Sequence, residues 1–209
     1  YEESNIENEI KRSRFIGRAA PVQTQEEAEL FIKEIKDNEP QATHHCSCYC
    51  IGENMLIQRY SDDGEPKGTA GIPMLEVLKK SKVTNVVVVV TRYFGGIKLG
   101  ASGLVRAYTG TCQDALSAGK IVTYIPFQEV DMSFDYSNLG KIDYYIQKNK
   151  LFENKRSYDE NVNISLLLNT EDVKKIKSDI FDELGGKIVW NEKEIIDMAV
   201  DENNEILKK

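Results

Sequence analysis

The sequence predicts an α+β protein of two domains, on three observations. Its 209 residues exceed the needs of one small domain and suffice for two. An unbroken run of valines, Val86–Val90, marks a strand buried on both faces between segments of helical character. Beyond Lys120 the pattern becomes strand, helix, two strands, helix, strand, which is the ferredoxin-like βαββαβ order. Domains are therefore expected at 1–122 and 123–209.

The elements follow in order along the chain. Arg14–Val22 has strand character. Thr24-Gln25-Glu26-Glu27 is a capping box, opening a helix with Ala28, Leu30, Phe31 and Ile35 as its apolar face, stopped at Asn38-Glu39-Pro40. Thr43–Ile51 and Met55–Tyr60 read as two strands around Gly52-Glu53-Asn54. The loop Ser61–Gly71 leads into a helix carrying Met74, Leu75, Val77 and Leu78. After the valine strand and a second glycine-rich loop, a helix runs from about Ser102 to Ala118, with Gly119 at its C-terminal cap. In the second half, Phe127–Phe134, Leu151–Tyr158, Val162–Leu168 and Lys187–Met198 read as strands. Asn138–Asn149 reads as a helix, as does a segment capped by Thr170 and ended by Gly185-Gly186.

Composition narrows the function. The chain is 41% hydrophobic and 29% charged, ordinary for a water-soluble protein. Its longest apolar run is too short to span a bilayer, and no signal segment opens the sequence, so a cytoplasmic protein without a membrane partner is expected. Cys46, Cys48 and Cys50 alternate along one strand face, a geometry that splays metal ligands and suits no disulfide between them. Buried reduced thiols are expected there, and also at Cys112, with no metal and no cofactor. The net charge of −7 opposes a broad sequence-blind nucleic-acid face. It is divided unevenly, −1 over residues 1–120 and −6 beyond, so a phosphate-binding surface belongs to the first domain.

Two loops there carry the candidate chemistry. Ser61-Asp62-Asp63-Gly64-Glu65-Pro66-Lys67-Gly68-Thr69-Ala70-Gly71 concentrates three carboxylates and three glycines between a strand and a helix. It reads either as a ligand loop or as a turn in which Asp62 and Asp63 bond nearby amides. Thr91-Arg92-Tyr93-Phe94-Gly95-Gly96-Ile97-Lys98-Leu99-Gly100, followed by a helix bearing Arg106, places backbone amides and three cations where anions are attracted, with Tyr93 and Phe94 as stacking faces. The glycine spacing fits neither a Walker loop nor a dinucleotide fingerprint, and the other reading is close helix–strand packing. No hydrolase elbow is present, and Ser102 reads as a helix cap.

Asp62–Pro73 and Val88–Gly100, centred on Arg92-Tyr93-Phe94-Gly95-Gly96, closely resemble the signatures of the YigZ/IMPACT family. Ser13-Arg14-Phe15-Ile16 and Ala42-Thr43-His44-His45-Cys46 fit its N-terminal pattern. The resemblance implies an N-terminal α/β module like domain 2 of ribosomal proteins and elongation factors. It also implies a C-terminal ferredoxin-like domain similar to those of elongation factor G. Eukaryotic members regulate translation by competing for a ribosome-associated activator of a stress kinase.

The expectation is a non-enzymatic regulator linked to translation, whose partner is the ribosome, RNA or a translation-related protein. Arg92, Lys98 and Arg106 would contact phosphate or an acidic partner, and Gly95, Gly96 and Gly100 would permit close approach. Tyr93 would offer a stacking face, and Asp62, Asp63, Glu65 and Lys67 would shape the rim. The alternative is an enzyme for a phosphorylated small molecule, with Mg²⁺ at Asp62 or Asp63.

Overall fold

The computed structural model describes residues 1–201 and 203–207. The chain divides between Ile121 and Val122 into two compact units. The first contains β1 (Ser4–Ile10), β2 (Ser13–Pro21), α1 (Gln25–Asn38), β3 (His44–Ile51), β4 (Ile57–Ser61), α2 (Gly71–Lys80), β5 (Val86–Tyr93) and α3 (Ala101–Ala118). Its five strands form one antiparallel sheet in the order β1-β2-β5-β3-β4.

The valine run explains the layering. In the central β5, Val86, Val88 and Val90 pack with Phe15, Ala19, Cys46, Cys48 and Cys50 against α2 and α3. Val87 and Val89 point the other way and pack with Tyr49 and Ile51 against α1. Both faces of the strand are therefore covered, and each buried valine contributes on the order of 1.5–3 kcal/mol of transfer free energy. The four cysteines are free and buried, with the three of β3 turned into one core as expected. Burial pushes the Cys46 thiol up to about 12 and that of Cys50 up to about 11.

The second unit contains β6 (Thr123–Phe134), α4 (Leu139–Lys148), β7 (Phe152–Tyr158), β8 (Val162–Asn169), α5 (Val173–Glu183) and β9 (Val189–Val200). The antiparallel order β7-β8-β6-β9 is that of a ferredoxin-like sheet. Val130, Met132 and Phe134 of β6 and Ile164, Leu166 and Leu168 of β8 pack beneath α4 and α5.

Several local expectations are corrected. β1 was absent from the sequence reading: its polar residues hide an alternation in which Ser4 is buried and Ile6 and Ile10 lean on the core. Thr24 does cap α1, its Oγ1 accepting from the Glu27 amide at 3.2 Å, but the Glu27 carboxylate returns to the Gln23 amide at 2.6 Å, one residue before the position a capping box uses. Leu30, however, is 65% exposed, because the buried stripe of α1 follows Ala28, Phe31, Ile32 and Ile35. Thr170 does not cap α5, which starts at Val173 behind Asp172. Ser102 lies inside the first turn of α3, whose cap is Gly100. No helix among the described residues is long and apolar enough to cross a membrane.

Candidate functional site

At one end of the first sheet, the start of β2, the start of β3 and the end of β5 meet the loop after β4. Glu65 of that loop is the hub. Its Oε1 accepts from Arg92 Nη1 at 2.6 Å and from the Tyr108 hydroxyl at 2.8 Å, and His44 Nε2 lies 3.8 Å away. Arg92 is only 5% exposed, and its Nη2 donates to Ser13 Oγ at 3.3 Å. Its guanidinium sits between the rings of Phe15 and Phe94, 5.4 Å from each centroid. This is a buried ion pair; removing one partner would leave a desolvated charge behind, the costly way to disturb such a pair. Burial is also the main reason the Tyr108 hydroxyl is pushed far up, which keeps it a neutral donor to Glu65.

The two aspartates are turned inward. Asp62 accepts the amides of Gly68 at 2.8 Å, Ala70 at 3.1 Å and Gly71 at 2.8 Å, so it closes its own loop and caps α2. Asp63 accepts the His45 amide and Lys36 Nζ, each at 2.7 Å. The Asp63 carbonyl receives His44 Nδ1 at 2.8 Å; because a carbonyl only accepts, that nitrogen carries the proton and Nε2 faces Glu65. Burial, the largest influence on Asp63, opposes its ionisation. Hydrogen bonds from Lys36 and the His45 amide outweigh it and hold the carboxyl below its ordinary value. Among the described residues no group of three or more His, Cys, Asp or Glu side chains is gathered to hold a metal ion.

The second loop shows the same division between scaffold and surface. A Cβ on Gly95 would overlap the carbonyl of Arg12, so this glycine serves the chain's own packing, and its amide donates to Ser13 Oγ at 3.2 Å. Gly96 and Gly100 have open space around them. Tyr93 is half-buried, with the Arg14 guanidinium 5.2 Å from its ring centroid. Phe94 is 47% exposed. Lys67, Lys98 and Arg106 are all exposed. Gly100 adopts φ +78° at the N-terminus of α3 and supplies no side-chain cap, in contrast to the Asp62 carboxylate on α2.

Of the expected site residues, the structure thus joins Arg92 to Glu65 and spends Asp62, Asp63 and Gly95 on the loops themselves. Lys67, Lys98 and Arg106 are left facing water. Sequence reading missed Tyr108 and Ser13, and passed over His44 as part of the hub. Tyr108 sits on an apolar helix stripe and Ser13 opens β2, and neither position signals the buried polar partner it finds, Glu65 for the first and Arg92 for the second.

A five-stranded antiparallel sheet with helices on both faces, held at one end by a buried glutamate–arginine pair and followed by a ferredoxin-like unit, defines a two-domain α+β class of protein. Residues 11–116 match the Impact N-terminal domain, and residues 132–187 match a domain of unknown function, DUF1949. The chain belongs to the IMPACT family. It is 48% identical to IMPACT family member YvyE of Bacillus subtilis, over 73% of this chain and 70% of that one. It is 40% identical to IMPACT family member YigZ of Escherichia coli, over 66% and 69%. A crystal structure described as that of an hypothetical protein superposes with a TM-score of 0.57 at 32% identity, covering 92% of this chain and 95% of the other.

Proposed function

We propose that the chain is a non-enzymatic binding protein of translational regulation, and that the loop surface of the first unit docks RNA phosphate. The observation that supports it most is the division of charge at the two glycine-rich loops. Arg92, Glu65, Asp62 and Asp63 are consumed in building a rigid platform. Lys67, Lys98 and Arg106 are left in water, Lys98 in the loop that enters α3 and Arg106 in that helix's early turns, where Gly100 gives no side-chain cap. Cations and a helix dipole on a pre-ordered frame favour a polyanion at little ordering cost. Phe94 adds an exposed aromatic face for a base. The link to translation is supported by the family to which the chain belongs.

The Mg²⁺ reading loses its motive, since the oxygens of Asp62 and Asp63 already receive three amides, a fourth amide and a lysine. The test is co-sedimentation with ribosomal subunits, comparing the native sequence with Lys67→Ala/Lys98→Ala/Arg106→Ala. Loss of co-sedimentation in the variant is the expected result. Equal co-sedimentation would remove this surface from the account.

A further inference from the structure

Four strands lie at sheet edges: β1 and β4 in the first unit, β7 and β9 in the second. An edge presents a row of unpaired amides and carbonyls, which proteins usually guard with charge, proline or a bulge. Three of these edges are guarded. β1 carries Glu7 and Glu9, β7 carries Glu153, Lys155 and Arg156, and β9 carries Glu192, Lys193 and Glu194. β4 reads Ile-Gln-Arg-Tyr-Ser, with one charge, no proline and an unbroken register against β3. Ile57 and Tyr60 are 37% and 51% exposed. Arg59 makes no ion pair among the described residues; its Nη1 turns back onto the Gln58 carbonyl at 2.9 Å.

We infer that β4 is a docking edge for an extended segment of another protein, which joins the sheet as a sixth, antiparallel strand. The segment carries an acidic residue opposite Arg59 and apolar residues opposite Ile57 and Tyr60. Main-chain hydrogen bonds along β4 supply the affinity, and alternate side chains supply the choice of partner. Register fixes the faces: Tyr60 and Gln58 pair with Cys48 and Cys50 and so lie on the α2 and α3 side, whereas Ile57 and Arg59 lie on the α1 side.

A second copy of this chain fits poorly. Antiparallel pairing about a twofold axis places residues of like face opposite each other, so full pairing of β4 with itself sets Arg59 against Arg59, a like-charge pair. Sliding the register to centre on Gln58 would bring Leu56 opposite Tyr60, but Leu56 has helical φ −60° and ψ −35° and cannot extend the strand. A foreign segment with a carboxylate at the centre meets neither obstacle.

The probe is a labelled peptide, valine–glutamate–threonine–valine flanked by serines, compared with the same peptide carrying lysine for glutamate. Binding is read by fluorescence anisotropy, and amide exchange is followed over residues 57–61. The native chain is expected to prefer the glutamate peptide by about tenfold, and Arg59→Glu to invert that preference. Amides in 57–61 are expected to slow only with peptide present. Absence of binding, unchanged exchange at 57–61, or a preference unmoved by Arg59→Glu would overturn the inference. Protection of 57–61 without peptide, rising with protein concentration, would overturn it in favour of a second copy.

Discussion

At the scale of single residues, Glu65 does the most to order the site, because one carboxylate oxygen gathers an arginine and a tyrosine from β5 and α3. Glu65→Ala leaves the Arg92 guanidinium buried without its partner and is expected to cost about 3 kcal/mol in urea unfolding at neutral pH. Lys98→Ala, at an exposed position, is expected to stay within about 0.5 kcal/mol. Comparable losses in the two variants would contradict the division into platform and surface. Asp63 adds a pH dependence. Its folded-state pKa is depressed below the ordinary 3.8, so its contribution is fully present above that value and is lost as pH falls through the lower folded value. Asp63→Asn is therefore expected to flatten the decline in urea midpoint between about pH 5 and pH 2. An unchanged acid limb would show that Lys36 and the His45 amide do not stabilise the ionised form.

At the scale of elements, two glycines separate packing from propensity. Gly95→Ala forces a Cβ into the Arg12 carbonyl between β2 and the loop after β5, and is expected to destabilise by at least about 2 kcal/mol. Gly110→Ala lies within α3 with nothing within 4 Å of the added atom, and is expected to stabilise by about 0.5–1 kcal/mol. Thermal unfolding of both variants checks the pair, and a shift in the same direction would refute it. Much of this level is legible in sequence, because periodicity and caps are local: the valine run, the Thr24 cap and the βαββαβ order all depend on neighbours within a few residues. What was illegible depends on distant partners. Arg92 reads as an exposed phosphate ligand until Glu65, 27 residues away, is found to close on it. Nothing local to Asp62 distinguishes a metal ligand from a clamp on the amides of Gly68, Ala70 and Gly71. β1 stayed hidden because its outward residues are acidic and amide side chains, which mask the apolar alternation.

At the scale of the whole molecule, the uneven charge is consistent with binding by the first unit: it carries −1, while residues beyond 120 carry −6. On the proposed reading a polyanion would be attracted locally to Lys67, Lys98 and Arg106 and repelled by the acidic remainder, which would favour a confined contact over indiscriminate coating. The most direct measurement is the affinity for a short RNA hairpin as a function of salt, for the native sequence and for Lys67→Ala/Lys98→Ala/Arg106→Ala. If the three cations each neutralise a phosphate, the slope of log K against log salt becomes shallower by about 2–3 in the variant, and binding weakens while the fold is retained. An identical slope and affinity in both proteins would contradict the account, because the platform would then be presenting nothing that RNA recognises.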